Sequence, residues 1–392
     1  MSPAVMNGAQ DRRRGRPSLS SDATIDSHLV PNYGMQSHSD QPELALDLPA
    51  LQQLPNPLTY FRIVLRELGT TPKRRTELLK GTGVTAALLA DPSAEITLGQ
   101  QLLQLRNAAR VCEPGWSLDV GRRFDLGAQG PLGFAMISAR TLGAAVDVMA
   151  RYGHVRSPWF RLIVEKDARH WGIVVRRQIR LGAIVDIALL ETLLLSAQAL
   201  IESVLGRAMR EARIDCDYEV PTWGARYADV FNARVVFGAA RPAIRMPAEW
   251  LALACPSADT AMYQLSLARL ESERRRLESG EHLEARIEIL LTAAGDAGLS
   301  LPQLAERLNL SRRTLIRRLT DVGTTYRELL DRHQMRRVER LLADPEFSLA
   351  EIAYGLGYSD PANFARAFRR WFGEAPGSYR RRRVAPGSAR SG

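Results

Sequence analysis

The chain has 392 residues, with 53 Lys and Arg against 43 Asp and Glu and a formal charge of +10; that length exceeds one ordinary core and predicts two or three domains. The basic balance suggests an anionic partner without separating DNA from a membrane surface. Cys112, Cys216 and Cys255 lie far apart with no CxxC spacing, which argues against a disulfide scaffold or structural zinc and fits a reducing cytoplasm. The N-terminus has no apolar run to serve as a signal peptide.

In chain order, residues 1–55 are rich in Ser, Pro, Asp and Gln with little apolar periodicity, and disorder is expected. Within them Arg14-Gly15-Arg16-Pro17 matches the core of an AT-hook, an arm that threads arginines into a narrow minor groove; the plainer reading is a solvated basic tail. From Leu58 helical spacing sets in, with Tyr60, Ile63, Val64 and Leu68 on one face. Gly81-Thr82-Gly83 reads as a turn, because no strand precedes it and no lysine follows in phosphate-loop register. Trp159–Glu165 and His170–Arg177 read as a hairpin. A helix over about Ile184–Leu205 follows; its Asp186, Glu191 and Glu202 mark it as a buried helix rather than a membrane span. A strand near Glu211–Tyr218, a helix near Ala225–Phe231 and strands around Val235–Phe237 and Ala243–Met246 complete residues 56–256. The expectation is an α+β domain with an antiparallel sheet covered by helices. Residues 257–281 read as a helical linker with a solvated charged face, also able to pair with a second subunit.

Residues 300–381 carry one unit written twice. Ser300, Leu304, Ala305 and Leu308 fall on Ser348, Ile352, Ala353 and Leu356; after one inserted residue, Ser311, Leu315, Arg317 and Leu319 fall on Asp360, Phe364, Arg366 and Phe368. Ser300 with Gln303 and Ser348 with Glu351 have capping-box spacing. Asn309 and Gly357 stand in turns that need positive φ. Ser311 and Asp360 are N-caps for the second helices, with Pro361 a natural first helical residue. This predicts two helix-turn-helix motifs, 300–321 and 348–372, each with its second helix built for the major groove. Thr325 with Glu328 opens a connecting helix to about Ala343, roughly 28 Å long at the α-helical rise. Groove faces recur about every 34 Å along the duplex, so one chain can address two half-sites.

The region resembles the DNA-binding domain of the AraC/XylS family of bacterial transcriptional regulators. Ile352-Ala353, Gly357-Tyr358, Asn363-Phe364, Arg366, Phe368-Arg369, Phe372-Gly373, Pro376 and Tyr379-Arg380 carry the likeness, which covers residues 282–383 without gaps and leaves 384–392 as a disordered tail. The N-terminal domain resembles the effector domain of a subgroup that includes ornithine-utilisation and virulence regulators, through Gly81-Thr-Gly-Val84, Asp91-Pro92, Asn107–Arg110, Gly130-Pro-Leu-Gly133 and Ala139–Gly143. It departs from the jelly-roll sensor of the sugar-responsive founder.

By register with that family, Arg313, Ile316 and Arg317 are base-reading positions. An arginine fork suits guanine, and isoleucine a thymine methyl. In the second copy Pro361, Ala362, Asn363 and Arg366 face the groove. Ser311, Arg312, Arg318, Arg369, Arg370 and Arg380 are assigned to phosphates, which position without reading sequence. In the effector domain Tyr152, His154, Trp159, Arg161, Arg176 and Trp223 are candidates to line a pocket; the plainer reading makes them core aromatics and hydrogen-bonded polar groups. The implied protein is a regulator controlled by a small-molecule effector. The resemblance further implies a homodimer that recruits RNA polymerase to promoter DNA as an activator, with repression left open; no catalytic residues, metal or cofactor are expected. A ligand-independent architectural DNA binder and an enzyme fused to a DNA-binding domain are the alternatives; no nucleophile with base and orienter, paired carboxylates or metal-spaced cluster supports the last.

Overall fold

The structure, a computed structural model, describes residues 44–384 except 47, 167–169, 296–297 and 345. Ordered packing begins earlier than the composition suggested. Leu44, Leu48, Ala50, Leu51 and Leu54 are buried in the main core, and Pro49–Gln52 forms a 3₁₀ turn. The disorder expected over residues 1–55 does not hold for residues 48–55, because the leucines there have an apolar surface to cover. Arg14–Pro17 lies outside the described residues, as does 385–392.

Strand β1 (Pro55–Pro57) leads into α1 (Leu58–Leu68), α2 (Pro72–Leu79) and α3 (Ala86–Ala90), and β2 (Glu95–Thr97) returns to pair antiparallel with β1. Helices α4 (Leu98–Val111), α5 (Trp116–Gly121), α6 (Leu126–Gln129), α7 (Pro131–Ile137) and α8 (Leu142–Arg156) follow. Then come β3 (Phe160–Lys166), β4 (His170–Arg177), α9 (Ala183–Leu205), β5 (Arg213–Asp215), α10 (Tyr227–Val230), β6 (Arg234–Val236) and β7 (Ala243–Pro247). The strand order of the larger sheet is β3-β4-β7-β5-β6. Its β3–β4, β4–β7 and β5–β7 pairs are antiparallel, but β5–β6 is parallel. The sheet expected to be antiparallel is thus mixed. The segment through α10 is a crossover rather than a hairpin, long enough to bring β6 back in the direction of β5.

Helix α9 is, among the described residues, the one helix long and apolar enough to cross a membrane, and it is mostly buried in the domain. Gly121 lets α5 lie close against it, since a Cβ there would stand 2.7 Å from Leu195 Cδ1. Midway along α9 the fully buried Glu191 accepts hydrogen bonds from Trp223 Nε1 at 2.8 Å and from the Ser117 and Tyr227 hydroxyls.

Helix α11 (Thr260–Leu277) is no detached connector, because Ser266 and Leu270 are buried against the effector domain. Helix α12 (Gly280–Ala294) is shared between two cores. Ala285, Ile289 and Ala293, four residues apart and so on one face, join the main core. Leu283, Ile287, Leu290, Leu291 and Ala294 join a second core with Leu304, Ala305, Leu308, Leu315 and Leu319. The remaining helices are α13 (Leu301–Arg307), α14 (Arg312–Asp321), α15 (Tyr326–Ala343), α16 (Leu349–Gly355), α17 (Pro361–Phe372) and α18 (Pro376–Val384).

Candidate nucleic-acid interface

The first helix-turn-helix unit is built by local chemistry. Ser300 and Gln303 close a reciprocal capping box on α13, satisfying amides that have no helical partner. Asn309 takes the turn at φ 60°, alone among described non-glycine residues in having positive φ. Ser311 then caps α14, accepting from the Thr314 amide at 3.1 Å. Leu315 and Leu319 are buried in the second core. The opposite side of α14 turns Arg312, Arg313, Ile316 and Arg317 to solvent, with Ile316 45% exposed.

The second unit repeats the plan with aromatic packing. Ser348 and Glu351 cap α16, Gly357 turns at φ 81°, and Asp360 caps α17 through the Ala362 amide at 2.8 Å. Phe364 and Phe368 are buried with Ile352, Ala353, Leu356, Val338, Leu342 and Tyr379 in a third, separate core. Pro361, Ala362, Asn363, Arg366, Arg369 and Arg370 are exposed. Arg366 donates to Asn363 Oδ1, so these two polar candidates are already oriented together. Arg370 lies 3.6 Å from Asp331 and over the Trp371 ring. Arg380 is half-buried, its Nε and Nη2 without a hydrogen-bond partner among the described residues. Capped by Thr325 and Glu328, α15 joins the two units; its 18 residues span about 27 Å.

One of the expected phosphate contacts is placed otherwise. Arg318, on the edge of α14, points toward the effector domain and donates from Nη1 to the Glu278 carboxylate and, at 3.2 Å, to the Glu278 carbonyl. Glu278 follows α11, its side chain only 1% exposed. It also accepts from Arg274 Nη1 at 2.5 Å, and His154 Nε2 stands 3.9 Å away, outside hydrogen-bond range. Burial penalises the Glu278 charge, but Arg318 and Arg274 more than offset that and hold its pKa at about 2. Burial brings the neighbouring Arg286 down to about 10 and also holds His154 below its ordinary value.

The other effector-domain candidates separate in the same way. Arg176 Nη1 donates to Glu306 Oε1 of α13 at 2.9 Å, while Arg161 donates to the Glu306 carbonyl at 2.5 Å and to Asn309 Oδ1 at 3.4 Å. Both strand arginines thus hold the first helix-turn-helix unit. Tyr152 reaches Glu271 of α11 at 3.3 Å, and Trp223 is committed to Glu191. Of the six, Trp159 lines a cavity of about 70 Å³, among α1, α4, α8, α9 and β3. Leu105, Phe124, Met149 and Leu193 make its apolar walls, and Gln101, Gln129 and Arg156 are among its polar lining. Gln129 accepts from Tyr60 at 2.9 Å and donates to Ser196 at 2.7 Å. Arg156 stacks over Tyr60 and lies 3.9 Å from Glu273 of α11. The glutamines and Arg156 escape a reading by motif because they stand on separate helices that only the fold brings together.

Two capped, core-backed helices with exposed basic faces, carried in tandem behind an α+β domain, define a helix-turn-helix transcription regulator. A family profile described as the arabinose-binding domain of AraC transcription regulators, N-terminal, matches residues 74–255, and a helix-turn-helix domain profile matches residues 304–382. The chain belongs to the AraC family of transcriptional regulators and is a regulator rather than an enzyme. The ornithine utilization regulator of Pseudomonas aeruginosa is 29% identical over 325 residues, 83% of this chain and 96% of that one. The transcriptional regulator VirS of Mycobacterium tuberculosis is 26% identical over 326 residues, 81% of this chain and 93% of that one. The crystal structure of the transcriptional regulator CdpR from Pseudomonas aeruginosa aligns with a TM-score of 0.42 at 25% identity, over 82% of this chain and 98% of that one.

Proposed function

We propose that the chain binds promoter DNA through both recognition helices, with a small-molecule effector in the α+β domain controlling that engagement. The carrying observation is the pair of exposed faces, each backed by its own core and joined by one helix. In α14 Arg313, Ile316 and Arg317 read bases; in α17 Pro361, Ala362, Asn363 and Arg366 do so, while Ser311, Arg312, Arg369 and Arg370 meet phosphates. Arg313→Ala is expected to weaken binding to a cognate duplex by about 1–3 kcal/mol and to relax specificity at one position. Gel shifts at fixed salt measure it; an equal loss on random DNA moves Arg313 to the phosphate class.

The effector occupies the cavity that Trp159 and Arg156 line. Its apolar walls and the lack of Asp and Glu among the described residues of its lining favour a ligand with an apolar body over a polyamine-like cation. Ligand binding stabilises the native state by mass action, by about 2.7 kcal/mol at a hundredfold excess over Kd. A metabolite panel scored by thermal shift is expected to raise Tm in the wild type and not in Leu193→Trp, which narrows the cavity. No shift across the panel favours a ligand-independent DNA binder instead. The protein acts as a dimer and as an activator that recruits RNA polymerase; run-off transcription with and without the chain tests the sign.

A further inference from the structure

We propose that Glu278 is a positioning residue for DNA readout, setting the pose of the first recognition helix from the effector domain by holding Arg318. The inference rests on reading α14 as a DNA-contacting helix and adds what fixes that helix in place.

Arg318 is only 18% exposed on its side chain and makes two contacts to one residue, the carboxylate and the carbonyl of Glu278. A guanidinium so held is poorly placed to neutralise a phosphate. Arg274 also binds Glu278, and Arg286 and Arg318 repel each other electrostatically across the same cluster. Removing the Glu278 charge therefore leaves three guanidiniums sharing a junction that the carboxylate had made attractive. Such a junction, once its counter-charge is gone, costs far more than an exposed ion pair. Two further features fasten the same unit to the same domain. Arg161 and Arg176 grip Glu306 and Asn309, and α12 contributes to both cores. The second unit sits on its own core at the far end of α15. The arrangement fixes one reading head to the effector domain, and the last turn of α8 reaches the same junction from the cavity. Tyr152 contacts Glu271, Arg156 faces Glu273 and His154 faces Glu278.

The test uses the full chain and a duplex that the wild type selects from a random pool. If the wild type selects no duplex, the DNA reading fails and this inference falls with it. Otherwise Glu278→Gln and Arg318→Met are each expected to weaken binding to the selected duplex about tenfold, and the double variant no further, since the two residues act as one unit. Footprints should fade over the half-site read by α14 and persist over the other, which also shows that the variants fold. Affinity for unselected DNA and the salt dependence should stay unchanged, and Glu278→Asp should restore part of the loss. The phosphate assignment predicts the opposite pattern, in which Glu278→Gln tightens binding by freeing Arg318 and Arg318→Met lowers the salt slope by about one. That pattern, additive losses, or unchanged half-site protection would overturn the proposal.

Discussion

Phe368→Ala is expected to unfold the second helix-turn-helix unit while the first stays folded. Phe368 is fully buried and packs against Phe364, Phe372 and Tyr379 at ring-centroid distances of 5.8, 4.4 and 5.5 Å. Truncating a buried phenylalanine typically costs about 3–5 kcal/mol, through lost transfer energy and the cavity left behind. This core has few members, Val338, Leu342, Ile352, Ala353, Leu356, Phe364, Phe368 and Tyr379, and a small core holds little stability in reserve. The first unit shares none of these residues. Hydrogen exchange should show protection lost across α16–α18 and kept in α13 and α14, and footprints should shrink to one half-site. Uniform loss of protection through both units would show that they fold as one.

Glu191→Leu is expected to destabilise the effector domain by about 3 kcal/mol or more, whereas Glu191→Gln should be tolerated. The leucine leaves the donors of Ser117, Trp223 and Tyr227 without the acceptor they now share, and each abandoned buried donor costs about 1–3 kcal/mol. Glutamine keeps an acceptor oxygen in place. Burial raises the Glu191 pKa above the ordinary carboxylate range, against the lowering pull of its three donors. A carboxyl group whose pKa is higher folded than unfolded binds its proton more tightly in the native state. Its contribution to stability is therefore full below the unfolded value and declines as pH rises through the folded one. Denaturant melts across that interval should show stability falling with pH in the wild type and a flatter profile in Glu191→Gln. An unchanged slope would remove Glu191 as the source.

The helix-turn-helix pair was legible because its determinants are local. Ser300, Gln303, Asn309, Ser311, Ser348, Glu351, Gly357 and Asp360 act within three or four residues of themselves, and the internal repeat placed them twice in one register. The α+β class was legible for a similar reason, since the apolar, β-branched runs of β3 and β4 and the apolar length of α9 are visible one segment at a time. The parallel pairing of β5 with β6 was not, because three-residue strands carry no pattern that distinguishes a crossover from a hairpin.

Charged side chains marked the limit. Arg161, Arg176, Arg318 and Glu278 have no sequence context that says whether a charge meets solvent, a phosphate or another domain. By itself the sequence determined that this chain carries two helix-turn-helix units joined by one helix, because caps, turns and helical periodicity are short-range. Only the tertiary structure decided which cations remain on the exposed faces of α14 and α17 and which tie the first unit to the effector domain. Coulomb attraction depends on distance and burial, and residues 40 to 148 positions apart meet there only after the chain has folded.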